Sequence, residues 1–576
     1  MVQYIHHTEQ SRSIEIKNLS FSYRDSPRLA LKEINLEIGE GEFVVLMGRS
    51  GAGKSTLAKC ANSTIPQFQK GNFNGEVKIF GKEISKTQVY QTAETVGLLL
   101  QDFECQLFST NVVLEVAFGL ENFAFPKEEI KKRVKESLAI VGLSGYEKRD
   151  PMTLSGGEKQ KLALASILAL EPKILILDEP TTDLDPSGKE EIFNLIASLT
   201  AKGLTVLVIE HETEKLFSAE RMVILNQGKI VLEGKAGEIF SRVSLLETNG
   251  IRPPQILKLL SHLNLNLNLI SVDEAYRLLK EKGYKISEEK YALLSEDRKE
   301  KEGEVLFRIK NLGYTYPDGS QVLKGINLEI KEGEFLAIVG ANGSGKTTLI
   351  KHFNHLFEPS EGEIFYRDTN LKELKISRLG REIGYLFQNP DNQIFASTVK
   401  EEIAFGLKNL AYPESQIEEK VKTALRSVQL KGYEEFDPFI LTKGEKQRLA
   451  VASVLATQPK VIILDEPTTG LDFLELKSLM DILKELNQKG HTIIMVTHTM
   501  WLVAEYAKRA VVLDQGGVVF AGRVRDLFRE EEKLKSYKLE VPPLIQLSNR
   551  LGQTSRGEQG RTLLSVDEFL FCMERR

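Results

Sequence analysis

Two segments of the pattern Gly-x-x-x-x-Gly-Lys-[Ser/Thr] can cradle the phosphates of a nucleotide. The first comprises Gly48, Arg49, Ser50, Gly51, Ala52, Gly53, Lys54 and Ser55; the second comprises Gly340, Ala341, Asn342, Gly343, Ser344, Gly345, Lys346 and Thr347. Glycines let successive backbone N–H groups turn toward an anion, and a helix starting at the loop adds positive potential. Lys54 or Lys346 is expected to reach the β- and γ-phosphate oxygens. Ser55 or Thr347 offers a hydroxyl to Mg2+, and Thr56 or Thr348 follows as a further nucleotide contact. A second pair of segments supplies acid: Ile174 to Asp178 followed by Glu179, and Val461 to Asp465 followed by Glu466. Asp178 and Asp465 suit a Mg2+ ligand acting through water, and Glu179 and Glu466, pointing the other way, can polarise an attacking water. The competing reading, an acidic helix cap after a strand, is weakened by the phosphate loop upstream in each half.

The elements that position these groups follow from pattern. Apolar runs precede the loops, Phe43 to Met47 and Phe335 to Val339, and helix-like stretches follow them. That strand–loop–helix context separates a phosphate loop from a glycine-rich turn. The acid-bearing runs are continuously apolar and β-branched, as in central parallel strands buried on both faces. Ligands sit at the carboxyl ends of such strands. The chain is therefore expected to bind nucleoside triphosphate twice.

The two sets belong to two copies of one fold. Gln101 and Gln388, Leu154 and Leu441, Asp178 and Asp465, and His211 and His498 all stand 287 residues apart. The loop lysines stand 292 apart, which leaves five extra residues in the first half, expected between Ser63 and Gly75. A constant register over so long a stretch is the signature of internal duplication. The tails repeat too: Arg252-Pro253-Pro254 answers Val541-Pro542-Pro543, and Ser271 to Glu274 answers Ser565 to Glu568. Each unit thus reads as an ATP-binding domain with a small, mostly helical appendix. The expected division is an N-terminal extension 1–13, a first domain 14–240, a first appendix 241–286, a charged, extended linker 287–304, a second domain 305–525 and a second appendix 526–576.

Composition narrows the class. The chain has 576 residues, 41% apolar and 27% charged, enough for several cores. A net charge of −5 gives no nucleic-acid signature. The three cysteines, Cys60, Cys105 and Cys572, lack the spacing of a zinc site or disulfide framework and suit a reducing compartment. No run approaches the roughly 20 apolar residues of a membrane helix. The start of the chain lacks the apolar region of a signal peptide.

Between loop and acid strand in the first half lies Leu154-Ser155-Gly156-Gly157-Glu158-Lys159-Gln160. With Gln101, the Asp185 turn and His211, it resembles the signature of the nucleotide-binding domains of ATP-binding cassette (ABC) proteins. The resemblance covers nearly the whole chain. It implies an α/β fold: two P-loop NTPase domains of ABC type, each with a helical signature subdomain, an antiparallel β subdomain and the C-terminal appendix. It also implies head-to-tail pairing of the halves, with each ATP between one phosphate loop and the other half's signature, here Ser155 and Gly157 or Thr442 and Gly444. Glu179 and Glu466 would be general bases, and His211 and His498 would orient γ-phosphate and water. Gln101 and Gln388 would reach Mg2+, Asp185 and Asp472 would couple the sites, and Tyr23 and Tyr316 would stack on adenine.

The second signature departs from the pattern, reading Leu441-Thr442-Lys443-Gly444-Glu445. A side chain at 443 is expected to crowd the phosphate or to strain a backbone that prefers glycine. By the implied cross-pairing, the intact signature serves the Lys346–Glu466 site, which is expected to turn over faster.

The segments after the glutamines, Gln101 to Phe108 and Gln388 to Phe395, bear on the partner. The second resembles the corresponding loop of energy-coupling-factor (ECF) transporter ATPases, which power vitamin and transition-metal uptake. In that family an acidic residue of this loop seats a coupling helix of an integral membrane subunit, which works with a substrate-binding membrane subunit. Glu104 and Asp391 hold the matching positions. The implied place is the cytoplasmic face of the cell membrane, bound peripherally. A fused sugar-importer ATPase and a soluble ribosome-acting tandem ATPase share the main motifs. The loop sequence and short appendices favour the coupling-factor reading, and the absence of a long charged connector disfavours the ribosomal one.

Overall fold

The computed structural model describes residues 11–575 except 25–27, 183, 215, 217–218, 266–270, 297–302, 469–470 and 554–559. The chain forms two compact units, Met1–Pro254 and Gln255–Arg576.

In the first unit a six-stranded sheet runs in the order Lys229–Gly234, Arg221–Asn226, Phe43–Gly48, Thr205–Ile209, Ile174–Asp178, Val96–Leu99. All neighbours are parallel except the first pair. The three central strands are buried along their whole length, which is why their sequences are continuously apolar. A four-stranded antiparallel sheet, Leu29–Gly39, Arg12–Tyr23, Gly71–Ile79 and Lys82–Glu83, packs with the loop helix Lys54–Ala61 around Phe21, Leu31, Leu57 and Leu225. Helices Val112–Asn122, Lys127–Ile140 and Gly156–Leu168 pack together as a helical subdomain.

The second unit repeats this plan. Its six-stranded sheet runs Ile383–Leu386, Val461–Asp465, Thr492–Val496, Phe335–Val339, Arg509–Asp514, Gly517–Arg523. The antiparallel sheet is Gln321–Lys331, Val305–Thr315, Glu361–Tyr366 and Thr369–Asn370, and the subdomain helices are Val399–Asn409, Glu414–Ser427 and Lys443–Ala456.

The tails are arranged less simply than their repeat suggests. The expected first appendix is divided at Pro254: residues 255–286 fold within the second unit, against its own C-terminal segment. Strand Tyr284–Ile286 pairs antiparallel with Met573–Arg575, and helix Val272–Glu281 lies against Pro543–Gly552. Ser271 and Ser565, the first residues of the repeated motif, are both helix N-caps, accepting from Glu274 N and Glu568 N. Ion pairs Arg550–Asp273 and Arg561–Glu288 join the two tails. Part of the charged stretch expected to be an extended linker is instead the helix Glu288–Glu296. Two glutamates in its first turn favour the helix dipole, and the Tyr291 hydroxyl accepts from Arg529 Nη2 at 3.1 Å.

Candidate functional site

Each phosphate loop closes the carboxyl end of a central strand. Gly48 and Gly340 leave no room for a side chain: a Cβ would lie 2.0 Å from Leu225 O and 2.3 Å from Leu513 O. Gly53 and Gly345, at φ 104° and 99°, open the following helices. Gly51 and Gly343 also have positive φ, yet a Cβ there would meet nothing within 4 Å. Their backbone turns toward open space, as a phosphate cradle requires. Arg49, Ser50, Ala341 and Asn342 lie along the loop, whereas Ala52 and Ser344 are buried beneath it. Lys54 Nζ donates to Gly48 O and Arg49 O at 2.9 and 3.0 Å; Lys346 Nζ donates to Gly340 O and Ala341 O at the same distances. Both lysines are thus buried with the ammonium curled over the loop.

The acids lie at the ends of neighbouring strands. Asp178 is buried, its Oδ1 has no hydrogen-bond partner, and burial pushes its carboxyl up to about 6, with the Ser55 hydroxyl pulling the other way. Asp465 is also raised by burial; its Oδ1 accepts from Thr347 Oγ1 at 3.0 Å and its Oδ2 from Tyr385 OH at 3.1 Å. Carboxylate and hydroxyl side by side are hard oxygen donors. With one bare buried oxygen in the first half, they fit Mg2+ shared with a nucleotide. Among the described residues no cluster of three or more His, Cys, Asp or Glu forms a separate metal cage.

Glu179 and Glu466 follow at φ 52° and 47°, a left-handed backbone that a glutamate adopts only when its surroundings impose it. Glu179 accepts from Gln101 Nε2 at 2.7 Å and from His211 Nε2 at 2.9 Å, so three of the residues singled out from sequence converge. In the second half, Glu466 Oε2 lies 3.1 Å from His498 Nδ1 and accepts from His498 N at 3.4 Å, whereas Gln388 is exposed. Burial alone would raise the Glu466 carboxyl; His498 and Lys346 outweigh it and hold the group below its ordinary value.

Tyr23 OH and Thr56 Oγ1 are 3.0 Å apart, and Tyr316 OH and Thr348 Oγ1 are 3.1 Å apart, which sets both rings against the loop helices. The signature residues are helix N-caps: Ser155 with Glu158 and Thr442 with Glu445 form capping boxes on exposed helix ends. Asp185 and Asp472 cap the next helices, accepting from Gly188 N and Glu475 N at 2.9 Å. The strain expected at Lys443 does not arise within its own fold. Its counterpart Gly156 is helical without positive φ, and a Cβ there meets nothing within 4 Å. Close packing falls instead on Gly157 and Gly444, whose Cβ would lie 3.1 Å from Leu184 Cδ2 and 2.8 Å from Glu475 Oε2.

The loops after the glutamines present aromatic residues outward. Phe108 is 62% and Phe395 57% exposed, so neither is core. Each stacks edge-on against a helix residue, Phe118 at 4.5 Å and Phe405 at 4.6 Å. Buried Glu115 and Glu402 hold these loops by accepting from Phe108 N and Ser109 N, and from Phe395 N and Ala396 N. Sequence reading missed these two glutamates, Tyr385, and the lysines that bind Glu104 and Asp391, which are Lys159 at 2.9 Å and Lys446 at 2.7 Å. Their recurrence at the 287-residue offset was the available signal for the glutamates and lysines.

The family model described as ABC transporter matches residues 31–182 and 323–469. A protein of Caldanaerobacter subterraneus described as an ABC transporter ATP-binding protein is 49% identical over 99% of this chain and 100% of its own length. One from Methanosarcina mazei is 41% identical over 92% of each chain. Among solved structures, cbiO1 from Clostridium perfringens, part of the ABC transporter complex cbiONQ, is 37% identical, with 40% of this chain and 94% of that chain covered and a TM-score of 0.37.

Proposed function

This chain belongs to the ABC transporter ATP-binding family, and from that premise we propose that it is the ATP-hydrolysing coupling subunit of a membrane transporter, an ECF-type importer of a vitamin or transition metal ion. The observation that carries this reading is the twice-repeated outward face after each glutamine: Phe108 with Phe118, four residues on from the half-exposed Glu104, and Phe395 with Phe405, four residues on from the half-exposed Asp391. Exposed aromatic pairs beside a carboxylate suit a coupling helix that brings an apolar side and a basic residue. Among the described residues no helix is long and apolar enough to cross a membrane, so the transport path is assigned to partner subunits.

In this proposal the two halves pair head to tail. Lys54 and Lys346 bind the phosphates, Tyr23 and Tyr316 stack on adenine, and the helix ends at Ser155 and Thr442 each face the γ-phosphate held by the opposite loop. Ser55 with Asp178 and Thr347 with Asp465 hold Mg2+, which when bound neutralises charge on the phosphates. Glu179 and Glu466 accept a proton from the attacking water, and His211 and His498 hold those carboxylates in place. Most of the rate enhancement comes from positioning and fixed charge.

The test is co-expression with a membrane coupling subunit and a substrate-binding membrane protein. The expected result is recovery of the chain with both from detergent-solubilised membranes, lost in the double variant Phe108→Ser/Phe395→Ser. Recovery of the wild-type chain with ribosomes rather than membranes would overturn the reading.

A further inference from the structure

Strands Val96–Leu99 and Ile383–Leu386 occupy the same place in the two parallel sheets, each beside the acid-bearing strand. Their registers match: Leu98 pairs with Ile176 and Tyr385 with Ile463, two residues before Asp178 and Asp465. One position therefore carries leucine in the first half and tyrosine in the second. The Tyr385 O–H donates to Asp465 Oδ2 at 3.1 Å while Thr347 Oγ1 donates to Oδ1 at 3.0 Å, so both carboxylate oxygens are held. Leucine has no donor, and Asp178 Oδ1 is buried without a hydrogen-bond partner. The tyrosine ring is itself fixed, packed edge-on at 4.9 Å from Phe387.

We propose that Tyr385 is a positioning residue for the metal–nucleotide complex of the second site: it pins Oδ2 of Asp465, keeps Oδ1 beside Thr347, and lets that site take its divalent cation at a lower concentration than the first. The inference rests on the reading of Asp465 as a metal carboxylate. A terminal carboxylate torsion is broad, and binding a cation narrows it. A hydroxyl that has already fixed the torsion removes that cost. Outer partners of metal ligands change metal affinity by about 10- to 100-fold in other sites. The two halves then differ in metal demand through one residue, independently of the difference at Lys443.

The test uses the full chain carrying Lys54→Ala, so that the second site is the one loaded, with a non-hydrolysable ATP analogue and Mn2+ followed by electron paramagnetic resonance. Nucleotide binding in EDTA serves as the metal-free reference. Tyr385→Phe, which keeps the ring, is expected to raise the Mn2+ concentration at half-saturation by about tenfold relative to that reference. In the chain carrying Lys346→Ala, Leu98→Tyr is expected to lower the first site's value. An unchanged value in Tyr385→Phe, with Asp465→Asn raising it, overturns the proposal and leaves the metal reading of Asp465 standing. An unchanged value in Asp465→Asn overturns both.

Discussion

Lys159 Nζ donates to Glu104 Oε1 at 2.9 Å, tying the loop after Gln101 to the helix that Ser155 caps. Lys446 makes the same bond to Asp391 Oδ1 at 2.7 Å in the second half. The acid of each pair is more than half exposed, so each contributes only about 0–1 kcal/mol to stability. Their interest is as linkages: under the proposed function, a membrane subunit that displaced the outward-facing loop would pull on the signature helix through this bond. Lys446→Ala is expected to move the thermal midpoint by less than about 2 °C, yet to reduce several-fold the stimulation of ATP turnover by a reconstituted membrane subunit. Calorimetry and ATPase assays in proteoliposomes check the two halves of this statement.

Asp178 gives a prediction with a definite sign. Its carboxyl rises from 3.8 to about 6 on folding. Above the folded value the group is ionised in both states and the folded protein carries the full net cost of holding it charged, burial less the help of Ser55 and the nearby lysines, about 3 kcal/mol. As pH falls from about 6 toward 3.8 that penalty is relieved, so this group makes the metal-free fold relatively more stable at acid pH. Asp178→Asn is therefore expected to raise the thermal midpoint in EDTA at neutral pH by a few degrees, with the gain shrinking as pH is lowered through this window. Scanning calorimetry across pH measures it. Adding Mg2+ and nucleotide is expected to stabilise the wild-type chain more than the variant.

Much of the site was legible because its parts are short and contiguous. A phosphate loop, an acid after an apolar strand, and the run Leu154-Ser155-Gly156-Gly157-Glu158 each declare themselves within a few residues. What escaped depends on chain segments far apart in sequence. Tyr385 in a strand reads as packing, and its partner Asp465 lies 80 residues on. The Lys159–Glu104 bond spans 55 residues between a loop and a helix that look unrelated. The same reason hid the alliance of residues 255–286 with the C-terminal tail: repeat logic assigns each tail to its own half, whereas strand pairing over nearly 290 residues decides otherwise. At Lys443, sequence reasoning supposed a conformational need for glycine that a helical N-terminus does not impose.

That correction is testable. Gly156→Lys copies the second signature into the first. Its Cβ enters open space in a helical backbone, so stability is expected to stay within about 1 kcal/mol of wild type. Gly48→Ala, by contrast, drives a Cβ to 2.0 Å from a backbone oxygen and is expected to cost several kcal/mol or prevent folding. Denaturant midpoints distinguish the two. ATP turnover in Gly156→Lys then reports the effect of the lysine on the proposed phosphate contact free of any folding defect.

The proposed bases are expected to be unequal. Glu466 is buried against His498 and held ionised below the ordinary carboxylate range. Glu466→Gln is expected to lower turnover by about 100-fold or more, with a smaller loss for Glu179→Gln, as the intact Ser155 signature would serve the Glu466 site. Because the Glu466 carboxyl is depressed, turnover limited by that site is expected to hold on the acid side down to a pH below the ordinary glutamate value. Steady-state ATPase measurements on both variants, with a pH profile of the chain carrying Lys54→Ala, check rank and direction. A larger loss for Glu179→Gln reverses the assignment.

The paired tails predict where truncation does its damage. Removing residues 521–576 takes away Met573–Arg575, the strand partner of Tyr284–Ile286, and the helix Pro543–Gly552 that covers Val272–Glu281. Ala275 and Leu279, fully buried in the intact chain, would then face water, as would Leu257, Leu259 and Leu260 of the helix Gln255–His262. Each newly exposed leucine forfeits about 1.5–3 kcal/mol of burial, more than so small a helical segment can lose and stay folded. Limited proteolysis of the truncated chain is therefore expected to cut first within 255–296, ahead of any site in the first unit. Cleavage that leaves this segment intact would mean that it folds without the C-terminal tail.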